Sequence, residues 1–459
     1  MHGTENRGED LVGRGRFRQT GRFGRLFPNL QPLASFTPEP EVLGAVGGPM
    51  DGGDPPPTDT SQDNPRIRAG YTFLGQFIDH DLTLDVTSSL EAQADPDAVE
   101  NFRTPALELD SIYGRGPAAQ PYLYDQTKPF RFLLDGKDVP RNAQGRALIG
   151  DPRNDENLIV AQLHHLFLSF HNKVFEDHTD KTLSDAKRFE QAQRLVRWHY
   201  QWIVVHEFLP RTIGSKRTQS IFSTPDPSPP SRPFMPVEFS VAAYRFGHSQ
   251  VRGGYRMTAN AGASLFGPAG QPSLAGFRPF PANLILEWSL FFGPTAQASK
   301  FIDKRISTDL LNLPDGVVPP GTPPAFRSLA VRNLRRGLVM GLPSGQALAS
   351  ALQIPTLSDA EIWDGTTGSG PAPLWYYFLR EAEVRASGNR LAGAGAELVG
   401  RVFRMLLQRD GESFLAKDPS WVPTLPSSKP AHFTMTDLVN LTQGSTIAGE
   451  DVAALPGDD

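Results

Sequence analysis

Apolar residues run almost unbroken from Tyr71 to Leu84, and within that run stand Gln76, Asp79, His80 and Asp81. The pattern predicts a buried helix over about 69–83. On a helix successive side chains point about 100° apart, so Asp79 and Asp81 diverge by about 200° and cannot serve one metal ion together. Gln76 and His80, four apart, share a face. Further along, Ile159, Leu163, Leu166, Phe167, Phe170 and Val174 form a helical stripe, which predicts a long helix over 155–177. Ser184 caps the next helix, which Pro210 ends. Helices are expected over 237–248, over 325–340 with a stop at Gly341-Leu342-Pro343, and near 391–408.

Between these stretches lie Pro- and Gly-rich connections, notably 223–236 and 314–324. Residues 1–65, rich in Gly, Pro, Arg and Asp, read as an extended, partly irregular arm. Residues 66–459 then read as one large helical domain ending in an irregular C-terminal tail. Period-two alternation is scarce, so the expected class is mainly α with very little β.

Composition narrows the functional classes. Net charge is -5 over 459 residues, with no basic field that would suggest nucleic acid as a partner. No apolar run reaches transmembrane length. The N-terminal stretch shows no secretory h-region, which sets the expectation of a cytoplasmic protein. Cysteine is absent, excluding disulfides, Cys-zinc sites, iron–sulfur clusters and thiol catalysis. Such a chain also suits the handling of oxidants, which attack thiols.

Five stretches carry candidate chemistry. His80, between two carboxylates and sharing a face with Gln76, can act as general base and then general acid. Arg153 stands in Gly150-Asp151-Pro152-Arg153-Asn154-Asp155-Glu156, with acidic groups at a helix start. In Tyr244-Arg245-Phe246-Gly247-His248, Gly247 lets something bulky approach the backbone, and His248 could ligate a metal. Asn333, near Arg336, lies on an apolar helix face and needs a buried partner, for which a histidine N–H is a candidate. Thr104, the Ala106 carbonyl, Glu108 and Asp110 alternate on an extended loop with the spacing of a hard-cation site, which Asp81 could complete. His164, His171, His199 and His206 read as structural.

Taken together, in this order over about 70–345, these motifs resemble the animal-type haem peroxidase family, part of the peroxidase–cyclooxygenase superfamily, and look like one of its bacterial members. The resemblance implies that Gln76, His80 and Arg153 are the distal catalytic set that binds and cleaves hydrogen peroxide. It implies His248 as the haem iron ligand, Asn333 as its hydrogen-bond partner, and Arg245 and Arg336 near the haem. Asp79 and Glu156 match carboxylates that form ester links to haem b in some members. Asp81, Thr104, Ala106, Glu108 and Asp110 match a calcium site. The implied function is a peroxidase responding to oxidative stress. It would oxidise small donors, whether bromide, iodide, thiocyanate or phenols, through a high-valent iron–oxo intermediate.

Some positions depart from the pattern. Glu108 stands where aspartate is more usual, and Asn157 where some members carry a methionine linked to haem. Arg245 stands where the fatty-acid oxygenases of the superfamily place a radical tyrosine. Three alternatives stay open: a haem-dependent fatty-acid dioxygenase on the same scaffold, a non-catalytic calcium- and haem-binding interaction protein, and a divalent-metal phosphohydrolase built on His80-Asp81.

Overall fold

The computed structural model describes residues 23–56, 59–84, 101, 103–224, 233–268 and 270–456. The start of the arm, the polar stretch 91–100 and most of the 223–236 loop lie outside these. The architecture is mainly α. Strands among the described residues form only two-stranded pairs: Phe23–Gly24 with Met235–Pro236, Asp63–Arg68 with Ala298–Lys300, and Gly254–Arg256 with Gly262–Ser264. No described helix is long and apolar enough to cross a membrane.

Helix α1 (Ala69–Leu82) buries Tyr71, Phe73, Leu74, Phe77 and Ile78, and leaves Gly75, Gln76 and Asp79 half-buried along one edge. It has no side-chain N-cap. Its first N–H groups instead go to backbone, Ala69 N to Gln297 O (2.9 Å) and Gly70 N to Phe291 O (3.0 Å). Only glycine fits at position 70, since a Cβ there would stand 2.5 Å from the Phe291 oxygen.

Helix α2 (Leu158–Asp177) packs on α1 and on α3 (Asp185–Ile203). It starts later than its apolar stripe suggests. Residues Pro152–Asp155 form a separate 3-10 turn, and Asn157 then caps α2 through Ile159 N at 2.9 Å. Ser184 caps α3 as expected, but Pro210 does not end the helical path. A π turn, Val204–Phe208, leads into a short helix, Leu209–Ile213, in whose first turn the missing proline N–H is no loss. Gly214, at φ 91°, stops it.

The stretch expected as a helix over 237–248 is a π turn, Glu238–Ala242, followed by a 3-10 segment, Ala243–Gln250. The 325–340 helix is likewise split, into Pro324–Arg327 and α4 (Leu329–Val339). Ser328 sits between them, accepting from Val331 N and donating to Gly44 O at 2.6 Å. Gly341, at φ 59°, ends the run as predicted.

Three more helices complete the frame: α5 (Leu374–Ala386), α6 (Gly393–Arg409) and α7 (Met435–Gln443). The last corrects the expectation of a wholly irregular tail. Thr434 and Asp437 form a capping box, and α7 packs on α2. One contiguous core runs from Phe23 to Val439. The arm belongs to it, since Arg25 donates to Met340 O (2.7 Å) and Gly341 O (3.0 Å). Glu238 accepts from Leu26 N and Phe27 N, so the arm ties the end of α4 to the π turn before His248.

Candidate active site

The half-buried edge of α1 faces a polar cluster supplied by the 3-10 turn before α2. Gln76 Nε2 donates to Glu156 Oε1 (2.8 Å), and His80 Nε2 stands 3.9 Å from the same oxygen. His80 is buried, and its Nδ1 lies 2.8 Å from Asn154 Oδ1. An amide oxygen only accepts, so with that oxygen facing it a neutral His80 carries its proton on Nδ1 and leaves Nε2 bare. Burial, and after it the Arg153 charge, hold the His80 pKa below the ordinary histidine value, against upward pulls from Glu156, Asp151 and Asp79. The ring is a neutral base at pH 7.

Arg153 is fixed from two sides. Its guanidinium bonds Asp151 (2.8 Å to Oδ2) and donates to the His80 (3.1 Å) and Thr83 (2.5 Å) carbonyls. Burial alone would raise the Asp151 pKa, but the Arg153 bonds and the Arg103 charge hold its carboxyl well below the usual range. Asp79 lies on the open edge, and the Thr83 hydroxyl donates to its Oδ1 at 3.2 Å. The divergence of Asp79 and Asp81 is as predicted. Asp81 points into the core, where its Oδ1 accepts from Asp110 N at 3.1 Å.

The Asp81 environment is strongly acidic. Burial, then the neighbouring Asp110 and also Glu108, push its carboxyl well above the ordinary value. Its Oδ2 is buried without a hydrogen-bond partner. Arg103 bonds Asp110 (2.9 Å) and also pairs with Asp151. Leu109, at φ 58°, turns the loop that brings Glu108 and Asp110 here. Among the described residues no group of three or more His, Asp or Glu stands ready-made around a metal position.

The 243–250 segment packs directly on α1, so His248 and His80 are carried by touching elements. His248 is half-buried. A Cβ built at Gly247 would meet nothing within 4 Å. Burial, then Arg245, bring the His248 pKa down to about 3. Asn333 lies against it, but with the amide nitrogen rather than an accepting oxygen on the ring: Nδ2 is 2.8 Å from His248 Nδ1, and Oδ1 accepts from Arg245 at 2.8 Å. Arg336, one turn on, is half-buried.

A profile of the animal haem peroxidase family matches residues 124–365, a window holding Arg153, Glu156, His248 and Asn333. This chain belongs to the animal haem peroxidase family. Among its relatives, chorion peroxidase of Drosophila melanogaster is 27% identical over 243 residues, 50% of this chain and 29% of that protein. Peroxinectin A of Dictyostelium discoideum is 27% identical over 224 residues, 48% of this chain and 39% of that protein. The matched stretches thus span well under half of those relatives. Peroxidase A from Dictyostelium discoideum shares the fold at TM-score 0.62, with 15% identity, over 96% of this chain and 92% of that one. A fatty acid alpha-dioxygenase from Oryza sativa does so at TM-score 0.59, with 15% identity, over 92% and 81%.

The family implies haem, and the residues fit one. Gly247, where a Cβ would meet nothing within 4 Å, leaves room beside His248, and Gln76 and Asp79 on the facing helix keep accessible surface. Iron ligation at His248 Nε2 needs a proton on Nδ1 and an oxygen facing it. Turning the Asn333 amide end for end supplies that oxygen. The turn gives up the Arg245 bond to Oδ1, while Arg245 keeps the Ser240 carbonyl at 3.0 Å. Three groups around His80 were not singled out from sequence. Asn154 holds its Nδ1, Asp151 anchors Arg153, and His164 Nδ1 accepts from Asn154 Nδ2 at 2.9 Å.

Proposed function

We propose that this animal haem peroxidase family member reduces hydrogen peroxide and oxidises small electron donors, halide, pseudohalide or phenol. The observation that carries this reading is the buried His80, held through Nδ1 by Asn154, on a helix packed directly against the segment that carries His248 and its partner Asn333. Bound haem would supply the two-electron chemistry at peroxide, held through His248. The chain's own groups manage protons and charge. His80 Nε2 takes a proton from the near peroxide oxygen and hands it to the departing one, leaving as water. Its Nδ1–H bond to Asn154 persists through both stages and keeps the ring in place. Arg153, pinned by Asp151, keeps a fixed positive charge beside the site and favours the neutral base. Gln76 and Glu156, bonded to each other, add polar groups beside His80.

Two finer assignments accompany this reading. Asp79 and Glu156 both keep accessible surface beside His80, which supports ester attachment of haem b. Calcium at Asp81, Thr104, Ala106, Glu108 and Asp110 is supported by the buried, partnerless Asp81 Oδ2 amid like charges, which a divalent cation would relieve. Arg103 already neutralises part of that cluster.

The fatty-acid dioxygenase reading shares the scaffold. Against it stands Arg245, held on the Ser240 carbonyl at the position where the fatty-acid oxygenases carry a radical tyrosine. The deciding experiment is an absorption spectrum of the purified protein, then titration with peroxide and bromide or iodide. Peroxide-dependent donor oxidation is expected. Oxygen uptake with linoleate, and none with peroxide donors, would favour the dioxygenase.

A further inference from the structure

We propose that Asn154 and His164 are positioning residues that lock His80 in the tautomer bare at Nε2. This rests on the peroxidase reading of the same site. The three side chains form one buried line, with His80 Nδ1–H donating to Asn154 Oδ1 (2.8 Å) and Asn154 Nδ2–H donating to His164 Nδ1 (2.9 Å). Asn154 and His164 are fully buried. Burial holds the His164 pKa down to about 3, so the ring is neutral, with its single proton on Nε2.

That Nε2–H is buried and has no partner. An orphaned buried donor costs about 1–3 kcal/mol. Turning the Asn154 amide end for end would let His164 donate from Nδ1 and would change the orphan at Nε2 from a buried donor to a buried acceptor. The same turn would put a donor against His80 Nδ1 and move the His80 proton to Nε2, where it could no longer accept from peroxide. The arrangement that serves proton transfer is therefore the one that strands a donor elsewhere. Such a buried unsatisfied group is expected where function overrides local satisfaction. His164 acts at one remove: its bare Nδ1 holds the Asn154 amide in the useful direction.

The direct test is neutron diffraction from deuterium-exchanged crystals of the purified protein. Deuterium is expected on His80 Nδ1 and His164 Nε2, with none on His80 Nε2. Deuterium on His80 Nε2 overturns the proposal. The kinetic test uses three variants. His164→Phe keeps an aromatic ring beside Phe77 and frees the Asn154 amide to turn. It should lower the second-order rate with peroxide roughly ten- to hundredfold while donor KM and melting temperature hold. Asn154→Leu should lose at least as much, and Asn154→Asp, which still offers an oxygen to His80, should recover most of it. An unchanged rate in His164→Phe, or equal losses in the Leu and Asp variants, overturns the assignment. If the wild type does not react with peroxide but shows the predicted deuterium pattern, the peroxidase reading fails and the lock stands.

Discussion

His80→Gln isolates proton transfer from folding. Glutamine is similar in length and polar, but it cannot take and return a proton near pH 7. General acid–base transfer by a placed side chain is worth about 10²–10⁴ in rate, roughly 3–5 kcal/mol of barrier. The structural loss is much smaller. The His80 ring makes one hydrogen bond, to Asn154, and losing it costs about 1–2 kcal/mol. Unfolding entropy of about 2.1 cal/mol/K per residue over 459 residues makes ~1 kcal/mol equivalent to ~1 °C in Tm. The variant should therefore melt within about 2 °C of wild type. Stopped-flow absorbance on mixing with peroxide should show the second-order rate down at least about a hundredfold. A rate within threefold of wild type, with haem bound in both proteins, would refute the role of His80. A large drop in Tm would show that the ring is mainly structural.

Glu381 offers a pH test away from the site. Burial pushes its carboxyl up to about 7 from an ordinary 4.5, although Gly395 N and Ala394 N donate to it. Raised in the folded state, the group contributes stability in full below pH 4.5 and loses it as pH rises through 7. That swing is about 3 kcal/mol. Glu381→Gln should gain on wild type by about 3 °C in Tm between pH 4.5 and 8, and a constant difference counts against the buried carboxylate. Chelation should lower Tm by about 3 °C if calcium is present at roughly a hundred times its Kd. Asp81→Asn should abolish that response, whereas no response in wild type argues that Arg103 alone balances the cluster. Acid–acetone should leave part of the haem on the wild-type chain and strip it all from the Asp79→Asn, Glu156→Gln double variant. Complete extraction from wild type would rule out the ester links.

How legible the molecule was depends on where the information sits. The α1 reading came from chain-local facts, an apolar run and the helical angle, so the divergence of Asp79 and Asp81 and the pairing of faces were available without coordinates. Asn333 was found because a polar residue on the α4 stripe demands a partner, and that partner proved to be His248. Asn154 was missed because its role depends on a 3-10 turn that detaches it from α2 and aims it back at α1. His164 passed as one of several core histidines, since seven-residue spacing tells nothing about a bond to another element. Helix α5 was missed because Leu374-Trp375-Tyr376-Tyr377-Phe378-Leu379 is apolar all round and offers no period. The 237–250 stretch misled in the opposite way. Its composition suits an α-helix, but contacts made by Glu238 with the arm and by Arg245 with Ser240 O bend it into π and 3-10 turns.

The π turn at Val204–Phe208 behaves as a spare residue wound into a helical path. Deleting one residue there would let the chain rewind smoothly, and local helicity would improve. Everything downstream would then swing by about 100°. Glu207 would leave the Tyr71 hydroxyl (2.5 Å) and Met435 N (2.8 Å), and Arg211 would leave the face of the Tyr71 ring (4.3 Å). The irregularity thus acts as a shim under the first turn of α1, the helix whose far end carries His80.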